Sequence, residues 1–143
     1  MDSKGRFAIP VRYRDAFPSL GDLAFVITVN PWDRALWLYP LDEWELIETK
    51  LSALTDFDKQ SRRTKQIMRG YATDCSCDGQ GRVLLPLELR EIAGIDKQAV
   101  LLGQGNKLEL WDGGLWQAER DSWLKDVGQG SGAPSSALES LSL

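Results

Sequence analysis

The chain has 143 residues, of which 43% are hydrophobic and 27% charged, with a net charge of −4 and a sequence pI of about 4.9. That balance excludes a wholly disordered chain, and the acidic average excludes a protein that coats nucleic acid by bulk charge. With no histidine anywhere, Ser-His-Asp, Cys-His and His-Glu-x-x-His sites are excluded, so no enzyme is expected and no metal or cofactor site is read.

The longest apolar runs, 24–29 and 99–102, are far shorter than the roughly 20 residues that cross a bilayer. Nor does an apolar stretch of secretory length follow the N-terminus. A cytoplasmic protein with neither membrane partner nor small-molecule substrate is expected.

In chain order, the first motif is DSKGRFAIPVRYR at residues 2–14, and it returns as DGQGRVLLPLELR at 78–90. The offset of 76 aligns Asp2 with Asp78, Gly5 with Gly81, Arg6 with Arg82, Pro10 with Pro86 and Arg14 with Arg90. Further on it slips to 72, where Leu36, Leu38 and Trp44 meet Leu108, Leu110 and Trp116, so the first copy has the longer loop. The chain is an internal duplication.

In each copy, Asp-x-x-Gly reads as a turn entering a short strand that proline ends, followed by a helical turn through Arg14 or Arg90. Hairpins follow, pairing Phe25–Val29 with Leu36–Tyr39 and Val100–Leu102 with Leu108–Trp111. Leu41, Trp44, Ile47, Leu51 and Leu54 recur at three- and four-residue steps, the pattern of an amphipathic helix. The basic stretch from Asp58 to Arg69 is predicted to be a second helix, and Leu115–Val127 a third.

YATDCSC, just before the second motif, reads as a strand, whereas Met1 alone precedes the first motif, so the first copy is expected to lack its opening strand. The expected organisation is a first β-rich module with its following helix over 1–54, a linking basic helix over 55–70, a second module with a C-terminal helix over 71–127, and a flexible Gly/Ser-rich tail over 128–143.

Charge is unevenly spread. Residues 1–14 carry Lys4, Arg6, Arg12 and Arg14 against Asp2 alone, while 59–69 carry Lys59, Arg62, Arg63, Lys65 and Arg69 with no acid. Arginine holds phosphate bidentately or reads guanine edges, which makes Arg6, Arg12 and Arg14 candidate DNA-binding residues, with Lys4 as a phosphate contact. Asp2 and Asp78 would orient Arg6 and Arg82, cutting the entropy lost on binding. The same pairs could equally be ion pairs that staple a turn, and the two roles can coexist. Gln80, Glu88 and Glu91 weaken the field around the second motif, so Arg82 is expected to be secondary or structural.

The run 59–69 is expected to be solvated or paired with the acids of 42–58. Trp37, Trp44, Trp111 and Trp116 occupy core positions of strands or helices, whereas Trp32 sits on the longer loop and is placed to meet a partner. Cys75 and Cys77 are too close for a mutual disulfide and read as reduced thiols. The Gly-x-Gly of GQGR and GQGN reads as hairpin glycine, since neither continues into a nucleotide fingerprint.

The segments DSKGRFAIP, LWLYPLDEWE, DGQGRVLLP, LREIAG and GQGNKLELWD, in this order, with the ending LESLSL, resemble the bacterial MraZ family. The resemblance covers nearly all of 2–127. It implies an α+β fold: two tandem AbrB-like swapped-hairpin β modules forming a pseudo-twofold barrel, with flanking helices. It also implies a homo-oligomeric ring that binds double-stranded promoter DNA with repeated short elements. Its expected role is sequence-specific repression, at the nucleoid, of the division and cell-wall gene cluster that includes its own gene. Family members carry several residues before the first motif, so a truncated or misassigned start is expected. The alternative left open is an antitoxin-like or other protein-interaction module without direct DNA readout.

Overall fold

A computed structural model describes residues 1–16, 24–128 and 135–141. It contains two compact units, Met1–Gly113 and Gly114–Leu143.

In the first unit, strand β1 (Arg6–Ala8) leads into helix α1 (Val11–Ala16), and β2 (Ala24–Val29) and β3 (Leu36–Pro40) form a hairpin. Helices α2 (Leu41–Ser52) and α3 (Lys59–Gly70) follow, then β4 (Thr73–Ser76), β5 (Arg82–Leu84), α4 (Leu87–Ala93), and a second hairpin of β6 (Ala99–Gly103) and β7 (Leu108–Asp112). The predicted strands, hairpins and helices therefore all have counterparts, displaced at their ends by a residue or a few.

Pairing interleaves the two copies. One sheet has the order β4-β2-β3-β7-β6, every pair antiparallel, and a separate two-stranded ribbon joins β1 to β5. The strand predicted ahead of the second motif, β4, pairs with β2 of the first copy, and β3 meets β7 with Leu36 opposite Leu110. Among the described residues the five-stranded sheet is open, with β4 and β6 as its edges.

The reason lies in the alternation of side chains along each strand. Phe25, Ile27, Leu36, Leu38, Leu108 and Leu110 share one face and pack with Phe7, Ile9, Val83, Leu85 and Leu89 in a single core built from both copies. At about 1.5–3 kcal/mol for each fully buried large apolar side chain, this shared core outweighs any local strand preference. On the opposite face Trp37, Tyr39, Leu51 and Met68 form a second cluster under α2 and α3. Thr28, fully buried, donates its hydroxyl to the Met68 carbonyl at 2.6 Å and ties β2 to α3.

Half-buried in that second face is an anchor without a signature in the sequence. The Glu109 carboxylate accepts from the indoles of Trp37 at 2.8 Å and Trp111 at 2.5 Å, which lets two large rings be buried with their N–H groups satisfied. Trp44 is half-buried against the same cluster.

Helix α3 begins at Asp58, whose side chain caps Ser61 N–H at 3.0 Å. Its basic run is partly paired with acids of the preceding segment: Arg69 with Glu48 at 2.7 Å and Lys65 with Asp56 at 2.8 Å. Cys75 and Cys77 are free thiols, and burial, helped by Asp74, pushes Cys75 up to about 11.

The second unit holds the predicted third helix as α5 (Gly113–Gly128), where Trp116 and Trp123 meet edge-on at 5.6 Å. Within the stretch expected to be a flexible tail, Ser136–Glu139 forms a helical turn, α6, capped by Ser135. Residues 129–134 and 142–143 of that stretch lie outside the described residues. No described helix is long and apolar enough to cross a membrane.

Candidate nucleic-acid interface

Each Asp-x-x-Gly-Arg motif folds into the same turn. Asp2 accepts at Oδ1 from the backbone N–H of Lys4 (2.9 Å) and Arg6 (2.8 Å), and at Oδ2 from Arg6 Nε (3.1 Å). Asp78 does the same with Gln80 (2.8 Å), Arg82 (3.0 Å) and Arg82 Nε (3.2 Å). Backbone bonds close both loops, Asp2 N–H to the Arg6 carbonyl and Asp78 N–H to that of Arg82. The turn demands a left-handed residue, supplied by Gly5 (φ 79°) and Gly81 (φ 75°).

Each carboxylate thus engages the Nε of its own arginine's guanidinium and leaves that group's terminal Nη atoms to other partners. Both Asp2 and Asp78 are held below the ordinary carboxylate value of 3.8, chiefly by the N–H of Arg6 and of Arg82 respectively, so the turn favours the charged form.

Tertiary pairing brings the two loops together. In the β1–β5 ribbon Ala8 faces Arg82 and Arg6 faces Leu84, and Ile9 N–H bonds the Gly81 carbonyl (3.1 Å) as Leu85 N–H bonds that of Gly5 (3.0 Å). Arg82 Nη1 comes within 3.6 Å of Asp2 Oδ2, so one carboxylate faces both arginines. Arg6 and Arg82 have side chains 28% and 32% accessible, neither sealed nor fully solvated.

The other candidates divide. Lys4 and Arg12 are exposed, Arg12 lying 4.7 Å over the Tyr13 ring and donating to its hydroxyl at 3.1 Å. Arg14 instead crosses to the second copy. Its guanidinium lies where a side chain on Gly81 would begin, with Nη1 at 2.9 Å from that position, and its Nε is buried. The equivalent Arg90 reaches toward Gly5 and donates to the Ile95 and Asp96 carbonyls at 3.0 and 3.1 Å. Each loop therefore rests on an arginine from the other copy. The reading of the sequence missed both this crossing and Arg90. The constant offset marks the four arginines as equivalent pairs without saying that the pairs exchange partners.

No group of three or more His, Cys, Asp or Glu among the described residues is placed to hold a metal ion. The arrangement is two backbone-braced loops presenting guanidinium groups side by side, suited to holding anions and hydrogen-bonding base edges.

The family model described as "MraZ protein, putative antitoxin-like" matches residues 1–67 and again 68–122, the two copies found here. The chain belongs to the MraZ family. Among similar proteins, the "Transcriptional regulator MraZ" of Thioalkalivibrio sulfidiphilus (strain HL-EbGR7) is 49% identical over 100% of this chain and 94% of its own length. The protein of the same name from Halorhodospira halophila is 46% identical with the same coverage, and that from a Marinomonas species is 47% identical over 87% of this chain and 82% of its own. The family's match repeats at the boundary between residues 67 and 68, inside α3, so the sequence copies divide where the fold does not.

Proposed function

We propose that this chain is a transcriptional regulator that binds promoter DNA sequence-specifically and represses the division and cell-wall gene cluster containing its own gene. The observation that carries the reading is the juxtaposition of Arg6 and Arg82, each held at Nε by its own aspartate, with Lys4 and Arg12 exposed nearby in sequence. Similar proteins that bear the name of transcriptional regulator support it. Arg6, Arg12 and Lys4 are assigned to DNA, Arg82 to a supporting contact, Arg14 to holding the second loop, and Asp2 and Asp78 to orientation.

One such pair of loops neutralises few phosphates, so useful affinity needs several copies presented to repeated short promoter elements. A homo-oligomeric ring, acting at the nucleoid, meets that need. In this reading the interleaved sheets are the tandem AbrB-like swapped-hairpin modules of a pseudo-twofold barrel, with the copies divided at 1–54, 55–70 and 71–127.

The test is fluorescence-anisotropy binding to the gene's own upstream DNA and to a shuffled control at two salt concentrations. Tighter, salt-sensitive binding to the native sequence is expected. Equal weak binding to both would sink the reading.

A second reading, a protein-interaction module of antitoxin-like type, draws on Trp32, which is 72% exposed. There Arg6→Ala would leave the complex intact and Trp32→Ala would weaken it.

A further inference from the structure

The first copy holds one further arginine by a device that the second copy lacks. Tyr13, on α1, is half-buried against the shared core, and its hydroxyl donates to the Leu101 carbonyl of β6 at 3.3 Å. The same hydroxyl accepts from Arg12 Nη2 at 3.1 Å, and the Arg12 guanidinium lies 4.7 Å over the ring. A tyrosine fixed at both ring and hydroxyl is a platform for a cation that is otherwise exposed.

The platform needs room, and Gly103 supplies it. Gly103 is not one of the left-handed glycines, so turn geometry does not account for it, but a side chain there would begin 3.0 Å from Tyr13 Cε1. In the first copy's hairpin Val29 faces Leu36 as Gly103 faces Leu108, so a branched residue stands in the equivalent place. The partners of the platform differ in the same way. Arg12 corresponds to Glu88, and Tyr13 to Leu89, which is sealed in the core at 2% exposure and has no hydroxyl to offer. An arginine that served only to solvate the surface would need neither the tyrosine nor the glycine beneath it.

Strand β6 also borders the paired loops, since Ala99 and Leu101 line a cavity together with Arg6 and Arg82. One strand thus supports Arg12 and flanks the arginines held by Asp2 and Asp78. A free arginine gives up rotamer freedom when it binds, and one stacked and hydrogen-bonded beforehand gives up less. Among the described residues Tyr13 takes a single N–H of the guanidinium, which leaves the others to a phosphate or a guanine edge.

We propose that Tyr13 is a positioning residue for DNA recognition, holding Arg12 as a prearranged contact that exists in the first copy alone. The inference rests on the DNA-binding reading above and names how one of its contacts is prepared.

Anisotropy titrations of the full chain against the gene's upstream DNA and a shuffled control test this, with thermal melts to check folding. Arg12→Ala is expected to weaken binding about tenfold and to lower the magnitude of the log-affinity against log-salt slope by about 1. Tyr13→Leu, the second copy's residue, is expected to weaken binding about three- to tenfold with the slope unchanged, because the charge remains. Gly103→Ala, which displaces the ring and alters no charge, is expected to act in the same direction and more weakly. Added to Arg12→Ala, the tyrosine substitution is expected to cost nothing more, since the residue it positions is gone. Tyr13→Phe keeps the ring and its packing, and carries the same comparison if Tyr13→Leu melts early. A tyrosine loss as large without Arg12 as with it, or no loss from a folded tyrosine variant, overturns the positioning role. Arg12→Ala without effect while Arg6→Ala still weakens binding overturns it too, and leaves the DNA reading standing. A native chain that does not prefer the upstream DNA removes both.

Discussion

The loops at 2–6 and 78–82 have matching hydrogen bonds, down to an Asp Oδ1 to Arg N–H distance of 2.8 Å in one and 3.0 Å in the other, but their surroundings differ. The first carries exposed Lys4 where the second carries Gln80, and is followed by Arg12 where the second has Glu88. Duplication has kept the device that holds the arginine and changed the field in which the arginine is presented. Beneath them a second difference runs the other way. A side chain on Gly81 would meet the Arg14 guanidinium at 2.9 Å, whereas one on Gly5 would meet Arg90 at 3.4 Å. The second loop is the more tightly supported and the first the more strongly charged.

The largest expected effect concerns that support. Gly81→Ala forces a left-handed alanine against a guanidinium and should cost about 2–3 kcal/mol, against about 1–2 for Gly5→Ala, where strain acts with little crowding. Thermal melts of the two variants side by side check the order, and equal losses would mean that Arg14 yields freely.

Next comes readout of DNA. Arg6→Ala should weaken binding to the gene's upstream DNA by about 1–3 kcal/mol, on the order of 5- to 150-fold, without a matching loss of stability. Arg82→Ala should weaken it less, because Arg82 sits in the more acidic field and also faces Asp2. Anisotropy titrations decide, and a larger loss for Arg82 would reverse the assignment of the first loop as the principal reader.

The charge difference can also be written into the second loop. Gln80→Lys makes it resemble the first and should raise the magnitude of the log-affinity against log-salt slope by about 1, while Lys4→Ala should lower it by about 1. An unchanged slope in both would place these positions away from phosphate.

The smallest effect is one where the loops should agree. Asp2 and Asp78 both titrate below 3.8 in the folded chain, so each favours folding fully above that value and loses its contribution as pH falls through the lowered folded value. Urea midpoints measured between pH 6 and pH 3 should fall with acid, and Asp2→Asn and Asp78→Asn should each flatten the fall by a similar amount. A change on one side alone would show that matching hydrogen bonds conceal unequal electrostatics.

Much of this was legible in the residues. The repeat offset located both turns, and the alternation of Phe25, Ile27, Leu36 and Leu38 gave a hairpin whose inward face is the observed core. The three- and four-residue spacing gave α2, and the Asp-x-x-Gly-Arg order gave the Asp–Arg pairs. Arg14 was less legible. Near Arg6 and Arg12 in sequence, it reads as one more cation of a basic patch, yet it lies under the other copy's glycine. Glu109 gave no signal either, since an acid between two apolar residues of a strand reads as a solvent-facing position, and only the burial of Trp37 and Trp111 around it makes it an anchor.

The sequence by itself determined the local units: two turns, two hairpins and the helices between them, because backbone preference, turn chemistry and side-chain period act over a few residues. Only the tertiary structure decided which strand pairs with which, that β1 joins β5 and β2 takes β4, and so that Arg6 and Arg82 stand side by side. Two similar copies present nearly interchangeable edges, and local sequence does not distinguish pairing within a copy from pairing between copies. The choice is made by the burial of one core large enough only when both copies contribute to it.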